Sequence, residues 1–412
     1  MNKSRTTICV MGLGYVGIPL LNAFSKHFTV IGYDINKVKI KELQNLYTFE
    51  LTSNPRKIKQ ADFIIIAVPT PVTISKKPDL TYVTSAAEIT GNNLKKGAIV
   101  ILESTVSPGT TEEVLVPIIE RTSGLKVNKD FYVGYSPERI NPGDTTHSID
   151  GITKLVAGND QKTTKRVADL YSTITKIYIV DNIRTAEAAK LVENIQRDVN
   201  IALINELSCI FEKINLDTKA VIDAAATKWN FHNYRPGLVG GQCIPVDPYY
   251  LIEKAKESGI IPTLMQTARD RNDQMPYVIA QLVISCLRNV KKEIKKSKIL
   301  LLGLGYKKNV GDFGDSLIKK LIHELDMFGV IIFAYDPLVN ITGITSQGVT
   351  ILNSLADNRY DCIIFSVAHD IFKSIALNDL KKIMCHNPIL IDLANNFDRN
   401  IAEKMGFLYK CL

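Results

Sequence analysis

The sequence predicts an α/β protein: two Rossmann-like, doubly wound parallel-sheet domains joined by a central helical domain with one long helix. Three observations predict it. In the first part of the chain, strand-length apolar runs alternate with helical patterns, which calls for a parallel sheet covered on both faces. From about Thr185 the pattern changes to that of a long helix. From Lys298 a strand-turn pattern begins again. At 412 residues the chain is too long for one ordinary core. The expected division is residues 1–184, 185–296 and 297–412.

Thr7-Ile8-Cys9-Val10-Met11 reads as a buried strand, followed by Gly12-Leu13-Gly14-Tyr15-Val16-Gly17 and a helical stretch to about Lys26. Thr29-Val30-Ile31-Gly32-Tyr33 is the next apolar run and ends on Asp34. The runs Asp62–Val68 and Ala98–Leu102 have strand length and no polar interruption after their first residue. In the middle of the chain Leu191, Ile195, Val199, Ala202 and Leu203 recur at helical spacing toward Phe211, and helix-like sequence continues to about Lys296. The runs Lys298–Gly305, Val330–Asp336 and Tyr360–Val367 build the second α/β domain. There is no low-complexity segment and no short repeat.

Composition narrows the function. Hydrophobic residues make up 46% and charged residues 22%, the balance of a soluble globular protein. No apolar run approaches the roughly 18 residues of a membrane span. The N-terminus lacks the apolar stretch of a signal peptide, so a cytoplasmic location is expected. The seven cysteines are scattered, with no Cys-x-x-Cys pair and no metal-ligand spacing with the six histidines. That argues for a reducing compartment and against a disulfide framework or structural zinc. The net charge of +8 suits an anionic substrate, while the absence of a basic stripe interleaved with aromatics argues against nucleic acid.

The first glycine cluster carries more information than glycines alone. It follows a strand, opens a helix and precedes an acid at the end of the next strand, the context of a dinucleotide-binding fingerprint. Gly12 permits the tight turn, Gly14 lets the backbone approach a pyrophosphate, and Gly17 lets the helix pack on the sheet. The pyrophosphate charge then meets the helix N-terminus. Asp34 would accept hydrogen bonds from ribose hydroxyls and repel a 2′-phosphate, favouring NAD over NADP. The later Gly303-Leu304-Gly305 has no third glycine in place and is followed by Lys307 and Lys308, so a second dinucleotide site is not expected. Cys243 lies between flexible Gly240-Gly241 and Asp247, four residues on, which suits a covalent catalyst.

Taken in order, the motifs resemble those of the nucleotide-sugar 6-dehydrogenases, the UDP-glucose and UDP-N-acetylhexosamine dehydrogenase superfamily. The resemblance covers essentially the whole chain. It rests on the Gly12–Gly17 fingerprint, Val68-Pro69-Thr70-Pro71, Glu103-Ser104-Thr105-Val106-Ser107-Pro108-Gly109-Thr110 and Ser136-Pro137-Glu138-Arg139-Ile140-Asn141-Pro142-Gly143. It continues through Lys190-Leu191-Val192-Glu193-Asn194 and Tyr234-Arg235-Pro236-Gly237-Leu238-Val239-Gly240-Gly241-Gln242-Cys243. The wording after Glu138 and around Tyr234 looks closest to the branch acting on UDP-N-acetylglucosamine or UDP-N-acetylgalactosamine for surface polysaccharides such as Vi antigen, O-antigens and capsule.

The resemblance implies an NAD-binding domain over 1–184, a central dimerisation domain carrying the catalytic cysteine over 185–296, and a UDP-sugar-binding domain over 297–412. It implies NAD-dependent oxidation of the sugar C6 alcohol to a carboxylate through a Cys243 thiohemiacetal and thioester. Lys190 and Asn194, four apart on a helix, would converge on the tetrahedral oxyanion. Asp247 and Glu138 are the acid/base candidates, and Thr105 would position the hydrolytic water. The cofactor set is Gly12, Leu13, Gly14, Tyr15, Val16, Gly17, Asp34, Pro69, Thr70, Ser104 and Thr105. The substrate set is Glu138, Arg139, Lys190, Asn194, Tyr234, Arg235, Gly240, Gly241 and Lys307, with Arg139 reading the N-acetyl group and the glycines admitting the sugar.

A homodimer or higher homo-oligomer is expected, since a long apolar-faced helix needs a partner surface. Two departures stand out. Gln242 replaces a histidine usual beside the cysteine, and Gly314 in Asp312-Phe313-Gly314-Asp315-Ser316 replaces a usual arginine. These keep open dehydrogenases of UDP-N-acetylgalactosamine, UDP-N-acetylmannosamine or UDP-glucose, and a catalytically impaired UDP-sugar-binding protein.

Overall fold

The computed structural model describes residues 6–138, 149–339, 348–355 and 359–412. Two compact units divide the chain, one formed by residues up to Asn194 with Val246–Pro262, the other by Ile195–Pro245 and Thr263–Leu412.

The first unit begins with β1 (Thr7–Met11), α1 (Gly17–Ser25), β2 (Thr29–Tyr33), α2 (Lys37–Gln44), β3 (Glu50–Thr52) and β4 (Phe63–Ile66). Then come α3 (Thr81–Gly91), β5 (Ile99–Leu102), α4 (Val116–Ser123), β6 (Tyr132–Tyr135), β7 (Lys154–Gly158), α5 (Gln161–Tyr171) and β8 (Ile177–Ile179). The strands form one sheet in the order β3-β2-β1-β4-β5-β6-β7-β8. Every pair is parallel except β6 with β7, a reversal that the apolar runs did not reveal. Side chains of β1, β4 and β5 are buried on both faces, as continuous apolar runs require. One face packs against α3 and α4 residues such as Val83 and Ile119, the other against α1 and α5 residues such as Phe24 and Tyr171.

Next along the chain are α6 (Ile183–Lys213), α7 (Thr218–Ala225), α8 (Asp247–Glu257) and α9 (Thr263–Asn289). The helix expected from Thr185 to Phe211 is α6, but its inward face differs from the expected one. Leu191 and Ala202 are buried, while Leu203 is 54% exposed. The buried positions instead include Glu187, Lys190, Asn194, Asp198, Asn205 and Ser208. Their three-, four- and seven-residue spacings place them along one side of a 3.6-residue helix. Polar side chains can be buried there because each has partners.

The second unit carries β9 (Lys298–Leu302), α10 (Ile318–Asp326), β10 (Ile331–Tyr335), β11 (Val349–Ile351), β12 (Tyr360–Phe365), α11 (Leu377–Lys382), β13 (Met384–Asp392), α12 (Arg399–Lys404) and β14 (Leu408–Cys411). Its wholly parallel sheet runs β11-β10-β9-β12-β13-β14. Counted within the unit this is the order 3-2-1-4-5-6, the order of the first six strands of the other sheet as well. α9 and α10 cover one face through Ile279, Val283, Leu321 and Leu325. Among the described residues no helix is long and apolar enough to cross a membrane.

The register of the second sheet makes a direct prediction. Ile364, on the central strand β12 and fully buried, should lower the denaturant midpoint by the equivalent of about 2–5 kcal/mol when changed to Ala. Ile331, exposed on β10, should change it by less than about 1 kcal/mol. Equal effects would contradict the alignment.

Candidate functional site

In the first unit the glycine turn sits at the carboxyl end of β1. Gly12 has φ +92°, and a Cβ there would lie 2.4 Å from the Ala67 carbonyl oxygen. A Cβ on Gly17 would lie 1.8 Å from the Gly12 oxygen, whereas Gly14 faces open space. Two glycines are therefore demanded by packing, and the middle one leaves room for a phosphate beside the start of α1. Asp34, just after β2, accepts hydrogen bonds from the N–H of Leu13 at 3.0 Å and of Asn36 at 2.9 Å, and pairs with Lys39 at 3.3 Å. The acid thus shapes the turn as well as standing where a ribose would need it.

The other cofactor candidates occupy the ends of neighbouring strands. Leu13 is buried in the core and Val16 packs against it, while Tyr15 is exposed. Pro69 and Thr70 follow β4. Ser104, after β5, donates to the Val68 oxygen at 2.6 Å and accepts from the Val68 N–H at 3.0 Å, lacing the two strand ends together. Half-buried Thr105 comes next. β1, β4 and β5 are adjacent, so this group lies at the carboxyl ends of strands around the topological switch point, where dinucleotides bind.

The same unit gathers the expected catalytic polar groups. Lys190 is 2% exposed; its Nζ donates to the Glu138 backbone oxygen at 2.8 Å and lies 3.8 Å from Oε2 of that side chain. Fully buried Asn194 donates its Nδ2 hydrogen to Oδ2 of Asp247. Asp247 is the first residue of α8, where the helix dipole favours a carboxylate. Tyr250 ties α8 to the cofactor loops: its hydroxyl donates to the Pro71 oxygen and its carbonyl accepts from Ser107. Arg139 lies outside the described residues.

Sequence reasoning missed a buried ion pair beneath Glu138. Lys154 on β7 binds Oε2 of Glu103 at 2.8 Å and donates to the Pro137 oxygen at 3.0 Å. Tyr171 donates to the other Glu103 oxygen at 2.5 Å. Burial, then the Glu103 carboxylate, push the Tyr171 hydroxyl far above its ordinary pKa, so it remains a donor. The only sequence signal was a lysine in an apolar strand. Glu187 was also missed: it accepts from the N–H groups of Gly109 and Thr111 and from the Thr111 hydroxyl. Burial raises its pKa despite those bonds.

In the second unit, Cys243 and Gln242 are exposed at a turn. Gly240 and Gly241 are required by packing: a Cβ on either would come within 2.8 Å of the Tyr306 side chain. The Gly241 N–H donates to the Asp315 oxygen at 2.9 Å. Tyr234 donates to Gln196 at 2.9 Å, and Arg235 pairs with Asp223. Lys307, next to Tyr306, is half-buried. Gly314 is exposed, and its oxygen accepts from Lys319 at 2.8 Å.

The second glycine turn is built differently from the first. A Cβ on Gly305 would meet the Val310 oxygen at 2.3 Å, and the next helix, α10, does not begin until Ile318. Asp336, the counterpart of Asp34, is buried; it accepts from the N–H groups of Leu304 and Gly305 and pairs with His369. Neither an adjacent helix N-terminus nor an outward carboxylate is available for a dinucleotide.

Comparison with known proteins matches residues 6–50 and 46–175 to the NAD-binding domain of the UDP-glucose/GDP-mannose dehydrogenase family, 184–274 to its central domain and 300–399 to its UDP-binding domain. The chain belongs to this family. It is an NAD-dependent dehydrogenase, and Gly12, Gly14, Gly17 and Asp34 have the geometry to hold that cofactor. The dehydrogenase is 41% identical over 404 residues to UDP-N-acetyl-D-glucosamine 6-dehydrogenase of Salmonella typhi, covering 94% of this chain and 95% of the relative. It is 41% identical over 415 residues to the enzyme of the same name from Pseudomonas aeruginosa, covering 96% and 98%. Among solved structures, UDP-D-ManNAc dehydrogenase of Pyrococcus horikoshii superposes with a TM-score of 0.88 at 31% identity, covering 98% of this chain and 99% of that one.

The thiols of the dehydrogenase differ sharply in environment. Burial pushes Cys9 up to about 12 and Cys286 up to about 11, and raises Cys362 well above the usual range. Iodoacetamide at pH 8 should therefore modify Cys243 well before these three, as peptide mass spectrometry would show. Earlier labelling of Cys9, Cys286 or Cys362 would contradict the placement.

Proposed function

We propose that this dehydrogenase oxidises the C6 alcohol of UDP-N-acetylglucosamine to the carboxylate, with Cys243 as covalent nucleophile. The observation that carries the chemistry is the set of buried Lys190, Asn194 and Asp247 with half-buried Glu138, which holds donors and carboxylates largely away from water. The sugar assignment is supported by the two relatives of that name, each matching almost the full length of the chain.

Bound NAD supplies the hydride acceptor for both oxidation steps. The residues divide the remaining work. The Cys243 thiolate adds to the C6 aldehyde, forming a C–S bond and a tetrahedral thiohemiacetal. Loss of the C6 hydride turns that centre into a thioester, and water releases the uronate and restores the thiol. Lys190 and Asn194 are donors for the tetrahedral oxyanion. Asp247, oriented by Asn194, and Glu138, tethered by Lys190, handle the alcohol proton and the hydrolytic water, with Thr105 helping to place that water. Arg235, Tyr234 and Lys307 are assigned to the UDP, and Arg139 to the N-acetyl group.

A second reading, UDP-N-acetylmannosamine as substrate, is favoured by the solved relative at 31% identity. Assay against a panel of UDP-sugars separates the two. UDP-N-acetylglucosamine should give about two NADH per sugar, and Cys243→Ala should slow uronate formation by about a thousandfold or more. Failure to oxidise UDP-N-acetylglucosamine while oxidising the mannosamine sugar would replace the first reading with the second. Binding without NADH formation from any sugar would overturn both.

A further inference from the structure

The loop leading to Cys243 has no helix or strand of its own: residues 231–240 are irregular. Its backbone is held from α6. Asn205, fully buried, accepts the Gly237 N–H at 2.8 Å on Oδ1 and donates from Nδ2 to the Gly237 oxygen at 3.1 Å. One side-chain amide thus makes both bonds that a neighbouring strand would make to that peptide position. Four residues on, the Gly241 N–H is taken by the Asp315 oxygen, with Tyr306 filling the space beside both glycines. The backbone two residues before the thiol is therefore fixed at one point and the backbone six residues before it at another.

The orientation of Asn205 is itself imposed. Its Nδ2 also donates to Oδ1 of Asn272 on α9 at 2.8 Å. Asn272 must present that oxygen because its own Nδ2 donates to Asp198, at 2.8 Å to the carboxylate and 3.0 Å to the backbone oxygen. Asp198 is paired at 2.5 Å with buried Arg269, which also reaches Asp273 at 2.7 Å. An ionised carboxylate only accepts, so it fixes which way Asn272 faces, and Asn272 in turn fixes Asn205. A buried ion pair and two buried amides add little stability that apolar residues of similar volume could not supply. What they add here is one conformation of the backbone at Gly237.

We propose that Asn205, oriented through Asn272 by the Asp198–Arg269 pair, is a positioning residue for Cys243. The inference rests on Cys243 being the nucleophile. Oxidation of the alcohol to the aldehyde does not use the thiol, whereas the second oxidation requires the thiohemiacetal. Loss of the clamp therefore falls on the second step.

The test compares Asn205→Ala with the wild type in single-turnover mixing with UDP-N-acetylglucosamine and NAD. The first NADH should form within about twofold of the wild-type rate, while the second slows by about tenfold or more and aldehyde is released. In parallel, iodoacetamide labelling of Cys243 should accelerate by about threefold or more, with Cys385 on β13 unchanged as an internal reference. Asn272→Ala, which keeps both Asn205 bonds to Gly237 but removes the group that orients Asn205, should fall between the two and carries the test if Asn205→Ala does not fold. Equal slowing of both steps with unchanged Cys243 labelling would overturn the proposal. If wild-type enzyme itself makes no NADH, the proposed substrate has failed instead, and labelling alone decides whether Asn205 holds the loop.

Discussion

A charged ammonium cannot be buried without acceptors, and Lys190 lies almost wholly inside the first unit. Meeting that requirement draws the Glu138 segment onto α6, and the same logic repeats along the helix. Glu187 collects the N–H groups of Gly109 and Thr111. Asn194 collects Asp247, and Asn205 collects Gly237. The buried face of α6 is in effect a row of hydrogen-bonding groups whose partners include loop backbone at Gly109 and Gly237, the first residue of α8, and Arg269 and Asn272 on α9. In a chemically inert helix such a face would be apolar, because an unmade bond there costs about 1–3 kcal/mol. The polar face is tolerated because every group is matched, and Glu138, Asp247 and the loop before Cys243 are among its partners.

The two sheets share one strand order yet use their first turns for different ends. At Gly12 the open position of Gly14, the nearby start of α1 and the partly accessible Asp34 leave a place for a diphosphate and ribose. At Gly303 the equivalent carboxylate is turned inward. The Asn309 N–H donates to Nδ1 of His369, so the ring proton is on Nε2 and is donated to Asp336. Asp336 is held below its ordinary pKa by this bond and by the Leu304 and Leu338 N–H groups, despite the opposing effect of burial. This network ties Asn309, two residues beyond Lys307, through His369 to Asp336. The same fold thus yields an NAD-binding domain in one half and a UDP-binding domain in the other.

What the sequence disclosed was what local sterics dictate. A glycine turn after a strand and an acid at the next strand end express short-range geometry, whereas Lys190 and Asn194 were singled out by the resemblance of their motif. The partners were not legible, because they are remote: Lys154 meets Glu103 across 51 residues, and Tyr171 meets it across 68. The helical period located α6 within two residues at each end, yet apolar spacing put Leu203 inward where the helix exposes it. Ranking side chains by hydrophobicity fails on a face where polar groups are buried in matched sets. Gly240 and Gly241 were legible as special positions, but not as the seat of Tyr306, which lies more than sixty residues further along the sequence.

The most direct measurement is the mass of the Cys243 peptide after acid quench of wild-type enzyme during turnover with UDP-N-acetylglucosamine and NAD. A uronyl adduct on Cys243 that hydroxylamine removes is the expected result. NADH production with no acyl group on Cys243, or with the group on another residue, would contradict the thioester route.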